Sequence, residues 1–229
     1  GMLETEGDLD YVEQFDLKNK TKSIALYRGQ EGEERTFATI EVDPDSNNVK
    51  RVTISYINRL RVLEKVEAYQ FPEDAVAFTP EDLASAWTGR PLGSVEPLER
   101  RLADLLKSKE GFLASESLYA FYGGVERVEQ ILQYRQEFIM EDAVSVKPGD
   151  SVKGETVRVL DSIVDYSYLE NGAISFTVAT RFPKGKRSAV STTKTFYTGS
   201  VPGQEVIGAV EENGVIHYYN YFTTGDPAK

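Results

Sequence analysis

The chain carries little of the equipment that enzymes use. It has one histidine, His217, and no cysteine. Disulfides, zinc–thiolate sites, iron–sulfur clusters and cysteine nucleophiles are thereby excluded. A catalytic dyad or triad that needs an imidazole must use His217. That residue lies in Val215-Ile216-His217-Tyr218-Tyr219-Asn220-Tyr221-Phe222. Read as a strand, the segment puts His217 on one face with Val215, Tyr219 and Tyr221. An imidazole there is either a proton donor or ligand contact within an aromatic surface, or a strand residue packed among tyrosines. Local spacing sets no acid or nucleophile beside it, so the second role is the more ordinary.

Carboxylates are abundant, with 37 Asp and Glu against 26 Lys and Arg. A calcium site needs several oxygen ligands from one loop. Asp43-Pro44-Asp45-Ser46-Asn47 comes nearest, but the places of an EF-hand's glycine and glutamate hold Asn48 and Ile54. A hairpin turn is the expected role, and no metal or cofactor is expected. Glycoside hydrolysis needs two carboxylates facing each other across a cleft. Among so many acids the sequence selects no pair, although 13 tyrosines and 11 phenylalanines supply rings that could stack on sugars. Walker and dinucleotide patterns are absent, as is a Gly-x-Ser-x-Gly elbow. Gly123-Gly124 precedes a helix-like stretch. It reads as a flexible joint rather than an anion-binding helix start.

The distribution of charge is the most distinctive feature. The net charge of −11 repels a phosphate backbone and disfavours nucleic acid as a partner. Yet no acid lies between Asn171 and Glu205, a stretch that holds Arg181, Lys184, Lys186, Arg187 and Lys194. These form a cationic knob on a hairpin. It suits an anionic protein or ligand, or serves only to discourage edge-to-edge strand pairing.

The elements that must position these residues follow from periodicity and punctuation. Thr36–Val42 and Arg51–Tyr56 alternate with period two around the turn formers 43–48, which predicts a hairpin. Tyr11–Leu17 and Ser23–Arg28 are expected partner strands. Arg59–Tyr69 fits strand and helix alike, and strand is preferred. Thr79-Pro80-Glu81-Asp82 predicts a short helix start, ended at Gly89. Leu98, Leu102, Leu105 and Leu106 form the stripe of a second helix, from about Ser94 to Gly111. Val125, Val128, Ile131 and Leu132 predict a third, from Val125 to about Glu137, with a strand as the alternative over its last half. Beyond Val144 no helical period recurs. Asn171-Gly172 and Asn213-Gly214 are type I′ hairpin signals, and turns at 183–186 and 200–203 space out further strands: Val157–Leu169, broken near Asp161, Ala173–Phe182, Ser188–Thr198, Glu205–Glu211 and Val215–Phe222.

The expected fold is therefore α+β. An N-terminal domain, 1–143, combines an antiparallel meander with two or three helices. A β-rich domain, 144–229, forms a second antiparallel meander, as a sandwich or small barrel. No run approaches the ~20 apolar residues that span a bilayer, and no leader pattern opens the chain. Gly1-Met2-Leu3-Glu4 reads as a protease scar before a native Met, which implies a cytoplasmic protein. The alternative is an exported one whose leader has been trimmed.

The expected function is a non-catalytic binding or protein-interaction module. Its contact face is the 181–194 hairpin, joined by His217, Tyr219 and Tyr221. The alternatives are a carboxylate-dependent hydrolase acting on carbohydrate, and a subunit that scaffolds an assembly.

Overall fold

A computed structural model of the chain describes residues 11–16, 21–28, 34–58, 60–71, 79, 98–140, 154–185, 188–189 and 191–219. These residues form β1 (Tyr11–Asp16), β2 (Thr21–Arg28), β3 (Arg35–Val42), β4 (Val49–Ile57) and β5 (Leu63–Gln70), then one helix, α1 (Leu98–Ser108). There follow β6 (Phe112–Tyr122), β7 (Val125–Met140), β8 (Gly154–Tyr168), β9 (Ile174–Arg181), β10 (Ser191–Thr198), β11 (Val206–Glu212) and β12 (Val215–Tyr218). Each strand neighbours the next in the chain, in one sheet.

This corrects the expected α+β class. The chain is nearly all antiparallel sheet with one helix among the described residues, in place of two or three helices and a separate sandwich or small barrel. The third helix, predicted from Val125, is strand β7. The cause lies in Gly123 and Gly124, which have φ of 58° and 81°. Two successive positive values make a tight hairpin turn, which reverses β6 into a partner strand. Gly123 must also be glycine for space, since a Cβ there would sit 2.5 Å from the Asn171 carbonyl oxygen. The break expected near Asp161 is absent, and β8 runs through it. The helix expected at Thr79–Gly89 and the domain boundary expected at 143/144 lie outside the described residues. No described helix is long and apolar enough to cross a membrane.

The chain divides into two compact units, residues 1–117 with 156–158, and 118–155 with 159–229. In the first, register lines the core up in rows across the sheet. Ile24, Ile40, Val52 and Tyr69 are successive cross-strand partners, and so are Leu26, Ala38, Ile54 and Glu67. All eight are buried. From α1, Leu102, Ala103 and Leu106 are buried too, so the leucine stripe meets the core as its spacing predicts. The second unit differs. Its only buried hydrophobic residues among those described are Ala173 and Ala209. Among the described residues, side-chain pairs between its backbone-paired strands take the place of large buried side chains.

The end of α1 shows how closely local chemistry fits. The Gly111 N–H donates to the Leu106 carbonyl at 2.8 Å and the Glu110 N–H to Lys107 at 3.2 Å, the paired bonds of a Schellman cap. The left-handed residue is Glu110, with φ 62°. Gly111 is needed for another reason: a Cβ there would meet the Leu106 oxygen at 2.6 Å and the Phe71 ring at 2.9 Å. Neighbouring substitutions should therefore act in opposite directions. Glu110→Gly is expected to raise unfolding free energy by about 0.5–1 kcal/mol, because the left-handed cost exceeds the added chain entropy. Gly111→Ala is expected to lower it by about 1 kcal/mol or more. Urea titration of both variants checks the signs, and a shared sign would refute this account of the cap.

Candidate functional site

Of the residues singled out in the sequence, Arg181, Lys194 and His217 fall on β9, β10 and β12, all in the second unit. The register sorts them by face. One row runs Asp165, Val178, Lys194, Glu211, Ile216 across β8–β12, and the next runs Tyr166, Thr177, Thr195, Val210, His217. Adjacent rows point to opposite faces. Lys194 and His217 are thus not brought together.

The Lys194 face is built on phenylalanine. Phe176 and Phe196 are direct partners, with ring centroids 6.3 Å apart. The Lys194 ammonium lies over both rings, at 4.1 and 4.8 Å from their centroids. A cation held over ring faces is a cross-strand clamp. Glu211 stands opposite it in the register. The row beyond continues through Ala209 to Tyr218 on β12.

The His217 face is built on tyrosine. Tyr122 and Tyr168 stack at 4.9 Å, and Tyr166 stacks on Tyr168 at 6.5 Å. The Tyr168 hydroxyl donates to the Val128 carbonyl at 2.5 Å. Burial pushes its pKa up to about 12 and also raises those of Tyr166 and Tyr119. These hydroxyls stay protonated near neutral pH, and that of Tyr168 serves as a donor.

The cationic hairpin meets acids of its own unit. Arg181 ends β9 and is exposed, as is Lys184 in the turn. The Gly185 N–H donates to Glu137 Oε1 at 3.1 Å. Arg135 ties the same Glu137 oxygen at 2.7 Å, bonds Asp161, and reaches the Phe182 carbonyl at 2.5 Å. Bonding to Arg135, with the charge of Lys184 nearby, holds the Glu137 carboxyl below its usual range. The knob therefore rests on a carboxylate base. Lys186, Arg187 and Tyr221 lie outside the described residues.

At the far end of the sheet, β12 pairs with β11 and all four of its side chains are exposed. Val215 is 55%, Ile216 46% and Tyr218 76% exposed, and His217 and Tyr219 are exposed beside them. On β11, Val206 and Ile207 are exposed as well, at 43% and 36%. The Asn213-Gly214 turn feeding β12 has φ of 51° and 79°, as its dipeptide predicts.

A second cluster, in the first unit, was not signalled by any motif. Glu67 occupies the core row of Leu26, Ala38 and Ile54. Its carboxylate accepts from the Tyr56 hydroxyl at 2.5 Å, the Tyr69 hydroxyl at 3.0 Å and the Lys65 ammonium at 2.6 Å. Lys65 also lies over the Tyr56 ring at 4.3 Å. Burial works against the charge on Glu67, but the bonds from Lys65, Tyr56 and Tyr69 outweigh it and lower the pKa. Burial and the same carboxylate raise both tyrosines. With its acceptors filled, the cluster is a buried ion held in place, not an open site. Asp43 is likewise engaged: its carboxylate accepts from the Asp45 and Ser46 N–H groups and pairs with Lys50 at 2.7 Å. Lys50 and those backbone bonds lower its pKa to about 2. Among the described residues no group of three or more His, Asp or Glu is placed to hold a metal.

No known protein-family model matches the chain, and no curated protein matches it in sequence.

The Glu67 cluster has a pH signature. A carboxyl whose pKa is lower folded than unfolded stabilises the fold above the ordinary carboxylate value of about 4.3, and that contribution fades as pH falls through the folded value. Glu67→Gln is expected to cost about 1–3 kcal/mol at pH 7, since it removes charge-assisted bonds. It should also flatten the loss of stability between about pH 5 and pH 3 relative to the parent. Denaturant titrations across that range test both effects. Parallel acid profiles would mean that the fold does not hold Glu67 ionised.

Proposed function

We propose that the protein is a non-catalytic protein-interaction module that meets its partner at the β11–β12 end of the second unit. The observation that carries this reading is β12 itself. Among the described residues it is the last strand of the sheet, and its large apolar side chains, Val215, Ile216 and Tyr218, are all exposed. Edge strands are usually blunted with lysine, proline or a bulge, and β12 contains no lysine or proline. Ile216 and Tyr218 stand exposed on one face of the strand and Val215 on the other. Exposed apolar side chains at a strand edge mark contact with another macromolecule, and an open strand edge takes an extended polypeptide by sheet extension.

Two further observations weigh towards binding at this end. Lys194 is committed to the faces of Phe176 and Phe196 and Lys184 sits near Glu137, so the hairpin offers less free positive charge than its composition implies. Asp43, Glu67, Glu137 and Glu205 have lowered pKa values, so these four carboxylates are engaged as acceptors within their own units.

Site-directed photocrosslinking in the cells of origin tests the proposal. A photoreactive side chain at position 218 is expected to give polypeptide adducts, and one at position 184 few. Ile216→Ser with Tyr218→Ser should reduce binding of the captured species by about tenfold or more, as for loss of a central apolar anchor. Adducts from 184 alone would return the contact to the cationic hairpin. Adducts from neither position would remove the interaction reading.

A further inference from the structure

The backbone of β12 specifies what kind of strand fits its edge. The Tyr219 N–H donates to the Gly208 carbonyl at 2.9 Å, while Tyr218 stands opposite Ala209. That pattern makes Tyr218 and Ala209 a non-hydrogen-bonded pair. The peptide groups of His217 therefore turn inward to β11. Those of Ile216 and Tyr218 turn outward, and among the described residues no strand lies beyond them. The edge thus offers two donor–acceptor sets, separated by one residue.

A second copy of the same edge satisfies these sets. Resting on the interaction reading above, we propose that two chains pair antiparallel through β12, about a two-fold axis normal to the sheet at His217. Such an axis maps each sheet face onto itself, so residues that stand opposite each other must share parity. Pairings with an even sum of residue numbers are allowed and odd ones are not. Centring on His217 sets Ile216 against the second copy's Tyr218, Tyr218 against its Ile216, and Val215 against its Tyr219. The outward peptide groups of Ile216 and Tyr218 then form two doubly hydrogen-bonded pairs. Each outward donor finds an acceptor, and each large apolar side chain meets an aromatic or β-branched partner, a favourable cross-strand combination. The two His217 residues face each other as a non-hydrogen-bonded pair, with Cα atoms about 4.5 Å apart. An interface of about five residues a side is small, so the association is weak, with Kd of about 1–100 µM.

Cysteine placement tests the register directly, because the natural chain contains none. His217→Cys puts two thiols across the axis at a separation that a disulfide accepts. Tyr218→Cys puts them about 8 Å apart between Cα atoms, beyond that limit. Under mild oxidation of the full chain, His217→Cys is expected to give a linked dimer at least tenfold faster than Tyr218→Cys. Equal rates, or no linkage from His217→Cys, would overturn the proposal. Sedimentation of the parent across a concentration series should show monomer passing to dimer. Ile216→Pro removes an outward donor and leaves the β11 bonds in place, as edge proline does, so it should remain folded by circular dichroism and stay monomeric. A parent that is monomeric throughout, or a dimer that survives in folded Ile216→Pro, also overturns it; should Ile216→Pro fail to fold, the cysteine pair alone decides. Adducts from position 218 to other proteins alongside a monomeric parent would refute the homodimer yet leave the interaction module standing.

Discussion

A strand side chain has two directions to choose from, and in a meander laid in chain order one choice binds every other. Once Ile40 faces inward, hydrogen-bonded register turns Ile24, Val52 and Tyr69 inward with it. The neighbouring row is bound by the same rule, and there it turns Glu67 into the core beside Ile54. The carboxylate cannot swing to water without taking the strand with it. It is held instead by Tyr56, Tyr69 and Lys65, which the same alternation places on its own face. A buried charge of this kind stands because its acceptors are filled. The constraint that builds the core also dictates the polar cluster within it.

That constraint explains which parts of the fold were legible in the sequence. Alternation in Thr36–Val42 and Arg51–Tyr56, with turn formers between, marked β3 and β4 because, Phe37 apart, buried positions alternate with half-buried ones. The leucines of α1 announced themselves for the same reason. The signal failed where both faces are alike. Along β7 most side chains are partly exposed on each side, so no period of two is written there, and the spacing of Val125, Val128, Ile131 and Leu132 mimics a helix. On β5 Glu67, Ala68 and Tyr69 are buried in succession while the apolar Val66 is only half-buried, so burial there follows neither apolar residue type nor a period of two. The Glu67 cluster was invisible because its partners are chosen by register, not by motif.

The candidate site was legible in composition and not in arrangement. The cations of 181–194, the lone histidine and the tyrosines of the last segment all stood out. Their sharing of one surface does not follow, since Lys194 and His217 fall in adjacent rows and so on opposite faces. Lys194 read as free charge because nothing in its immediate sequence reveals that Phe176 lies in the neighbouring row. The pairing is set by the β9–β10 register. Exposure of β12 was likewise beyond reach, since its residue types are those of a buried strand. Location at the end of the sheet makes them a surface.

Among the described residues the interior of the second unit is sparse, and this has a thermal consequence. The heat capacity released on unfolding grows with the apolar area newly exposed to water. Strands tied by ring stacks and a cation clamp, with small residues at their few fully enclosed positions, expose less new apolar area per residue than the first unit with its rows of Ile, Val and Leu. The free energy of the second unit should accordingly curve more gently with temperature. On cooling, it is the first unit, with the larger hydrophobic share, that loses its advantage sooner.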